Sequence, residues 1–349
     1  MQPDFHGDRP LLTIAVPTFN RAEQLKLLLE TLAPQVAALP DVELLISDNA
    51  SSDNTQHVVE EQIAAGLRCK YIRNASNIEA DPNFLQCYRE ARGRYVWIFG
   101  DDDVLLPRSL HFIFNLLRTN ECEIVYIRPF GFVHDVDERG QRNSSPHVRA
   151  YGSAKAFLKA VGLRGDLVML SAVIVNKDRI EAAPHPDFAE GKNTNLLQVG
   201  WAFTALKHFR RGFIVERGLF AACERNPRRQ FDIIGVFGPN WARAARLFLA
   251  PDEQLIDAAL NDQLYSWFVA NWYAARRHPE HTIIVDPVGQ MRRAYGDRPR
   301  FWVLTWPLLA WPMLPAGAWL ALLRGVRHVD AALERARNRP IDNISIDKM

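Results

Sequence analysis

Three consecutive acids, Asp101, Asp102 and Asp103, follow Gly100 at the end of a short apolar run from Tyr95 to Phe99. That run reads as a strand buried on both faces, so it delivers carboxylates to its own C-terminal edge. Adjacent carboxylates repel one another, and hard cations such as Mg²⁺ or Mn²⁺ favour oxygen ligands. A divalent metal that also carries phosphate oxygens would relieve the conflict. The competing reading is a solvated acidic turn that caps the helix opened by Pro107.

The elements that position these acids alternate regularly. Leu11 to Val16 is a continuous apolar run that ends in Pro17-Thr18-Phe19-Asn20, and from Arg21 a helical pattern places Leu25, Leu28, Leu29 and Leu32 on one face. Val42 to Ser47 is a second run, ending in Asp48-Asn49-Ala50-Ser51-Ser52-Asp53 before a helix near Asn54 to Ala65. Cys69 to Arg73 is a third, and Asp81-Pro82 opens a helix to about Arg92. Strands alternating with helices specify an α/β fold with a mostly parallel sheet. Ligands bind beyond the carboxyl ends of such strands, where Thr18, Asn20, Asp48, Asn49 and Asp101 to Asp103 gather. Neither G-x-G-x-x-G nor G-x-x-x-x-G-K-[ST] follows the first run, which removes the main support for a dinucleotide-dependent dehydrogenase or a P-loop enzyme.

Val16-Pro17-Thr18-Phe19-Asn20-Arg21, then Ser47 to Asp53, then Asn77, Asn83 and Gly93-Arg94-Tyr95, then Gly100-Asp101-Asp102-Asp103 with Pro107, resemble the successive motifs of family 2 glycosyltransferases in order and spacing. The resemblance covers roughly residues 10 to 120. It implies a GT-A fold, Rossmann-like with its sheet flanked by helices, in which a nucleotide-binding half uses a divalent metal and a more variable half binds the acceptor. Carried over by position, Pro17, Thr18 and Asn20 line the nucleoside pocket. Asp48 accepts a hydrogen bond from the base, with Asn49 and Ser51 beside it. Asp102, five residues before Pro107, matches the metal-binding acid that ends the family's D-x-D motif, with Asp101 or Asp103 to assist. Gly100 stands where many members carry the first acid, and Glu79 where an N-x-G turn often has glycine.

The resemblance divides the chain into a nucleotide-sugar half, 1–120, an acceptor half, 121–235, and a helical C-terminal region, 236–349. Cys122 to Arg128 and Leu167 to Asn176 read as strands, Phe130 to Val148 as a polar hairpin or loop, and Leu196 to Phe209 as an apolar helix. The long polar loop from Glu181 to Asn195 is a functional candidate. An inverting transferase needs a carboxylate to take the acceptor proton, and by the family's spacing that base falls in this loop, where Asp187 and Glu190 are the available acids. The family's frequent Glu-Asp pair is absent. His185, between two prolines, reads as a surface residue. Arg225, Arg228 and Arg229 form a basic loop with guanidinium forks that suit a diphosphate. Trp267, Phe268, Trp272 and Tyr273, within a helix expected from Asp252 to Arg276, read as core packing.

From Phe301 to Leu323 no residue is charged, and the run holds four tryptophans and Pro307, Pro312 and Pro315. Prolines this close disfavour a regular spanning helix, and tryptophans belong at the headgroup level. The expectation is a broken interfacial segment held to anionic lipid by Arg292, Arg293, Arg298, Arg300, Arg324 and Arg327, with a buried dimer or domain contact as the alternative.

A net charge of +2 with 23% charged residues excludes a general nucleic-acid binder. Cys69, Cys87, Cys122 and Cys223 lack zinc-site spacing and read as reduced structural cysteines, and Met1 to Pro10 lacks the apolar core of a signal peptide. Together these point to a protein on the cytoplasmic face of the inner membrane. The resemblance implies a metal-dependent transferase that moves a sugar from a nucleotide-diphosphate donor to a hydroxyl of a lipid-linked saccharide. Its nearest likeness is to bacterial O-antigen and capsule enzymes of the abequosyltransferase or rhamnosyltransferase kind. Two rivals are a nucleotidyltransferase and a saccharide-binding scaffold that keeps the fold without the chemistry, and an oligomer is compatible with either.

Overall fold

The computed structural model describes residues 9–132, 147–162, 166–216, 218–223, 232–277, 285–337 and 342–344. The first half alternates as expected: β1 (Leu12–Thr18), α1 (Ala22–Ala37), β2 (Val42–Asp48), α2 (Thr55–Ala64), β3 (Lys70–Arg73), α3 (Ala80–Glu90) and β4 (Tyr95–Ile98). All seven residues of β1 and of β2 are buried, as they are in a parallel strand covered on both faces. A short β5 (Val104–Leu105), α4 (Ser109–Thr119), β6 (Ile124–Ile127) and β7 (Phe130–Phe132) follow. After them come β8 (Val148–Tyr151), α5 (Ala154–Gly162), β9 (Val173–Asn176), α6 (Lys177–Glu181), α7 (Leu197–Lys207), β10 (Gly212–Val215) and β11 (Phe220–Cys223). The C-terminal region is helical and returns as β12 (Asp342–Ile344).

The main sheet has the order β12-β8-β10-β6-β9-β4-β1-β2-β3. Register pairs such as Leu12 with Val42 and Leu12 with Tyr95 make β4, β1, β2 and β3 a parallel block. β9 runs antiparallel between β4 and β6, and β8 reverses again beside β10. A second sheet has the order β5-β11-β7, and its first strand, β5, directly follows the acid triplet. Helices α3 and α7 pack on each other and on β1, β2, β6 and β9, whereas α1 packs with α2 and α4.

Leu167 to Asn176, read as one strand, is instead two 3₁₀ turns, Asp166–Val168 and Leu170–Ala172, before β9. The backbone there bonds outward from the ladder: the Trp97 indole donates to the Ser171 carbonyl at 2.8 Å and the Gly100 N–H donates to the Ser171 hydroxyl at 2.8 Å. The expected Asp252 to Arg276 helix is present as α-helical Glu253–Asp262 and Val269–Arg277 joined by a π-helical turn, Gln263–Phe268. Phe268 and Trp272 are buried there and Tyr273 is half-buried, which is core packing. Residues 133–146 of the expected polar loop lie outside the described residues, as do Arg225, Arg228 and Arg229.

At the N-terminal edge of the parallel block one buried acid fixes the turn into β4. Glu43, 1% exposed, accepts from the Thr13 hydroxyl at 2.6 Å, the Arg92 backbone N–H at 2.9 Å and the Arg92 guanidinium at 2.8 Å. Thr13 in turn accepts from the Gly93 N–H at 2.7 Å. The backbones are so close that a Cβ on Gly93 would meet Thr13 N at 2.4 Å, which is why glycine stands in that motif. All four cysteines are free, and burial pushes the Cys69 thiol up to about 11 and those of Cys87 and Cys122 to about 12, so these three are unreactive packing residues.

Candidate active site

The C-terminal ends of β1, β2 and β4 meet at one edge, and three loops there are laced together by short polar side chains. Asn20, in the left-handed region at φ 53°, donates its N–H to the Ser51 hydroxyl at 2.9 Å and accepts from the Ser52 N–H at 2.7 Å. It therefore ties the β1 loop to the β2 loop and does not cap α1. Asp53 performs both caps: it accepts from Ala22 N–H at the start of α1 at 3.1 Å, and from the Thr55 N–H at 3.0 Å and hydroxyl at 2.5 Å at the start of α2. Burial raises its carboxyl, but these hydrogen bonds outweigh it and leave Asp53 below the usual range.

Asp48 is fully buried, and both its oxygens are engaged. One accepts from the Ser51 N–H at 2.8 Å. The other accepts from the Tyr71 hydroxyl at 2.8 Å, with the Arg73 guanidinium at 3.5 Å. Asn49 reaches the third loop: its amide donates to Asn77 at 2.8 Å, and its oxygen accepts from the Ile78 N–H at 2.9 Å and from Asn74 at 3.1 Å. That loop forces Glu79 to φ 72°, a conformation glycine adopts without strain, at the position where the resemblance expects glycine. Pro17 and Thr18 complete β1, and the buried Thr18 hydroxyl has no hydrogen-bond partner.

The acid triplet splits into two roles. Asp103 turns inward, where it accepts from the Cys223 N–H of β11 at 3.0 Å and is 8% exposed. The structure therefore does not bring its bonded oxygen to the other two. Asp101 and Asp102 converge on a single nitrogen, Nη1 of Arg21, at 3.1 and 2.5 Å. Gly100 makes room for this: a Cβ there would lie 3.1 Å from Asp103 Oδ2, 3.3 Å from Asp102 Oδ1 and 3.3 Å from the Ser171 hydroxyl. Burial pushes the Asp101 carboxyl up to about 7 against the pull of Arg21, and it pushes the Asp103 carboxyl up to about 7 as well. Burial also opposes the charge on Arg21, yet its two carboxylate partners prevail and its pKa is raised.

Among the described residues no group of three or more His, Cys, Asp or Glu side chains is poised around a metal. A divalent cation nevertheless fits this edge, because two carboxylate oxygens already point at one cationic nitrogen, Nη1 of Arg21. The remaining ligands would come from phosphate or water.

The loop after α6 runs along α3 from its far end to its near end. Asp187 caps a 3₁₀ turn, Phe188–Gly191, by accepting from the Ala189 N–H at 2.9 Å, and pairs with Arg89 in the last turn of α3 at 3.3 Å. At the other end, Asp81 in the first turn of α3 accepts from the Thr194 N–H at 2.9 Å and the Asn195 N–H at 3.0 Å. Eight residues of helix separate the two anchors by about 12 Å. Asp187 thus lies toward the end of α3 remote from the acid edge, and the structure does not bring it to Asp101 and Asp102. Glu190 is exposed on the turn between the anchors, with its carbonyl held by Arg243 at 2.8 Å. His185 stacks on Phe188 with ring centroids 4.6 Å apart.

Sequence reasoning left Arg21, Ser171, Tyr71 and Asp81 without roles. Arg21 ends the first motif and Asp81 was read as a helix opener, so both had a signal. For Ser171 and Tyr71 nothing in the local pattern pointed to the site.

Residues 13–174 match the family described as Glycosyl transferase family 2. This stretch is a glycosyl transferase family 2 domain. The chain is 32% identical over 186 residues to abequosyltransferase RfbV of Salmonella typhimurium, a match that covers 49% of this chain and 54% of the relative. It is 35% identical over 103 residues to the GalNAc(5)-diNAcBac-PP-undecaprenol beta-1,3-glucosyltransferase of Campylobacter jejuni, covering 29% of this chain and 32% of the relative. The chain thus spans about half the length, or less, of these curated relatives. Among solved structures, S. aureus TarS 1-349 in complex with UDP-GlcNAc superimposes with a TM-score of 0.59 at 16% identity, covering 93% of this chain and 92% of that one. The family 2 domain and this likeness establish a GT-A fold.

Asp101 and Asp103 both contribute to the pH response of the metal-free protein, and the part carried by Asp103 can be isolated. Its folded-state value near 7 lies above the ordinary 3.8, so the folded state holds an extra proton between those values and loses stability as pH rises through that window. Asp103→Asn removes the titration and keeps an oxygen for the Cys223 N–H. In chelator-treated protein, denaturant unfolding should show wild type losing stability relative to Asp103→Asn from pH 4 to pH 7, with a constant difference above that.

Proposed function

We propose that this protein is a glycosyltransferase of bacterial surface polysaccharide synthesis, which moves a sugar from a nucleotide-diphosphate donor to a hydroxyl of a lipid-linked saccharide. The observation that carries the reading is the convergence of the Asp101 and Asp102 oxygens on one cationic point at the C-terminal edge of a family 2 domain. Support for the donor class comes from TarS, which was solved with UDP-GlcNAc on the same fold. The lipid-linked acceptor draws on the Campylobacter jejuni relative, named for an undecaprenol-linked substrate.

Asp101 and Asp102 would hold Mn²⁺ or Mg²⁺, with Asp103 fixing the loop behind them. A bound metal supplies positive charge that offsets the departing diphosphate. The chain's own contribution is to hold the two carboxylates together against their repulsion and to enclose the nucleoside between the β1 and β2 loops, where Pro17, Thr18, Asn20, Asp48, Asn49 and Ser51 form the wall. A thermal-shift panel of UDP, GDP, CDP and dTDP, each with and without Mn²⁺, tests this. One nucleotide at a hundred times its dissociation constant should add about 2.7 kcal/mol of stability with the metal present. Asp102→Ala should abolish that gain, and silence from all four nucleotides in folded protein would overturn the reading in favour of a scaffold.

Glu190, exposed between the two anchors of its loop, takes the role of general base in an inverting attack, because Asp187 is held at the far end of α3 by Arg89. Glu190→Gln should lower turnover about a hundredfold or more. Asp187→Asn should stay within a few-fold of wild type, and the reverse ranking would move the base to Asp187.

The apolar C-terminal segment is broken, as the prolines dictate: π-helical Phe301–Thr305, then helix Trp306–Ala310, a break at Trp311-Pro312, and helix Met313–Arg337. One face is buried through Phe301, Leu308, Ala316, Leu320 and Leu323, and the Trp272 indole donates to the Leu308 carbonyl at 3.1 Å. The other exposes Trp302, Val303, Trp311, Leu322 and Leu314, the last at 89%. Among the described residues no helix is long and apolar enough to cross a membrane. Exposed Arg243, Arg246 and Arg293 line an open groove on the neighbouring helices. An exposed apolar face on a chain that also exposes arginines suits peripheral binding to anionic lipid. In flotation assays the protein should bind phosphatidylglycerol vesicles and spare phosphatidylcholine ones. Leu314→Asp with Leu322→Asp should release it without unfolding, and equal binding by this variant would remove the membrane from the proposal.

A further inference from the structure

Arg21 is placed unusually for a residue at the start of a helix. It precedes α1 as the N-terminal flanking residue, where the helix dipole disfavours positive charge, yet its guanidinium folds back over the ends of β1 and β4. There a single nitrogen, Nη1, contacts both Asp101 Oδ1 at 3.1 Å and Asp102 Oδ2 at 2.5 Å. The side chain is 31% exposed, Asp101 is 9% exposed and Asp102 is 24% exposed, so the pairing is only partly screened by water. Nothing else described in the chain offers these two oxygens a full positive charge. Arg73 is committed to Asp48 and to the Ser51 carbonyl, and Arg128 to Glu216 and the Ala160 carbonyl.

A guanidinium nitrogen and a divalent cation that answer to the same two carboxylate oxygens cannot both occupy the space between them. We infer that Arg21 is the site's resident cation and gates metal entry: the metal binds only as Arg21 gives up Asp101 and Asp102, and the freed guanidinium then pairs with the diphosphate of the donor. This rests on the metal-dependent reading of the site and adds to it the coupling between metal and donor. Metal alone must break a partly buried ion pair and leaves Arg21 half-buried without a counter-ion, which is costly. A nucleoside diphosphate arriving with the metal supplies that counter-ion, and guanidinium forks fit phosphate oxygens in two-point fashion. Metal and diphosphate therefore bind cooperatively, each tightening the other by the same factor. The bare acid cluster meanwhile never faces solvent with its charges unpaired.

The test is a Mn²⁺ titration followed by electron paramagnetic resonance, which counts free metal directly, on wild type, Arg21→Gln and Arg21→Lys. Each is titrated alone and with a saturating amount of the nucleoside diphosphate that stabilises the wild type. In the absence of nucleotide, Arg21→Gln should bind Mn²⁺ at least tenfold more tightly than wild type, and Arg21→Lys should fall between them. With nucleotide the wild type should gain affinity for Mn²⁺ by a larger factor than Arg21→Gln does. If Arg21 served only to brace the loop, Arg21→Gln would scatter the carboxylates and bind metal more weakly, which overturns the inference. Equal Mn²⁺ affinity in wild type and Arg21→Gln without nucleotide overturns it too, while leaving the metal-dependent reading intact. Absence of Mn²⁺ binding in every protein, with and without nucleotide, overturns both. Should Arg21→Gln fold poorly, the comparison of Arg21→Lys with wild type decides alone, because shortening the side chain and localising its charge must loosen the pair that the metal has to break.

Discussion

Negative charge gathered at the end of a buried strand is the constraint on which this molecule is built. β4 is apolar because the sheet covers both its faces, and it ends where the chain must leave the sheet, so Asp101 to Asp103 emerge into a space only partly open to water. The three carboxylates are answered by two different parts of the chain. Arg21, from the start of α1, answers Asp101 and Asp102; the Cys223 N–H, from β11, answers Asp103. The second small sheet and the first helix are thus placed by the demands of three adjacent residues, as well as by the packing of their apolar faces.

The loops around the acids are held by a different principle. Asn20, Asn49, Asn74, Asn77, Asn83, Ser47 and Ser51 carry no net charge, and each bonds to a segment distant in sequence. Short amides and hydroxyls lose little conformational entropy when fixed, and they satisfy loop backbone that has no sheet or helix partner. A polar lattice of this kind fixes the shape of the loops at this edge. Asp48 belongs to the lattice as fully as the amides do, since Tyr71 and Ser51 occupy both its oxygens.

Much of this was legible in the sequence because the parallel strands are continuous apolar runs that end in polar motifs. β1, β2 and β4 begin and end within a residue or two of the expected places, and the gathering of Thr18, Asp48 and Asp101 follows from strand direction alone. What could not be read was tertiary pairing. Asp103 looks no different from Asp102 in a row of three, and only the path of β11 separates them. Asp187 stood at the spacing the resemblance suggested for a base, and only the structure shows it paired with Arg89 in the last turn of α3. Ser171 lies in a stretch whose composition says strand, and it turns instead because Trp97 and Gly100 bond to it across the sheet.

The reversed direction of β9 has a further effect. A strand that runs against its neighbours starts where they finish, so the residues that lead into it stand beside the acid turn although they come some seventy residues later in the chain. Ser171 thereby reaches the Gly100 N–H and the Trp97 indole from a segment that follows β6. The family match, which ends at residue 174, stops just inside that strand. A chimera that exchanged C-terminal segments between relatives would therefore need its junction after β9. A cut at the start of β6 would separate the acid turn from the hydroxyl that supports it and ask a foreign segment to supply the missing contact.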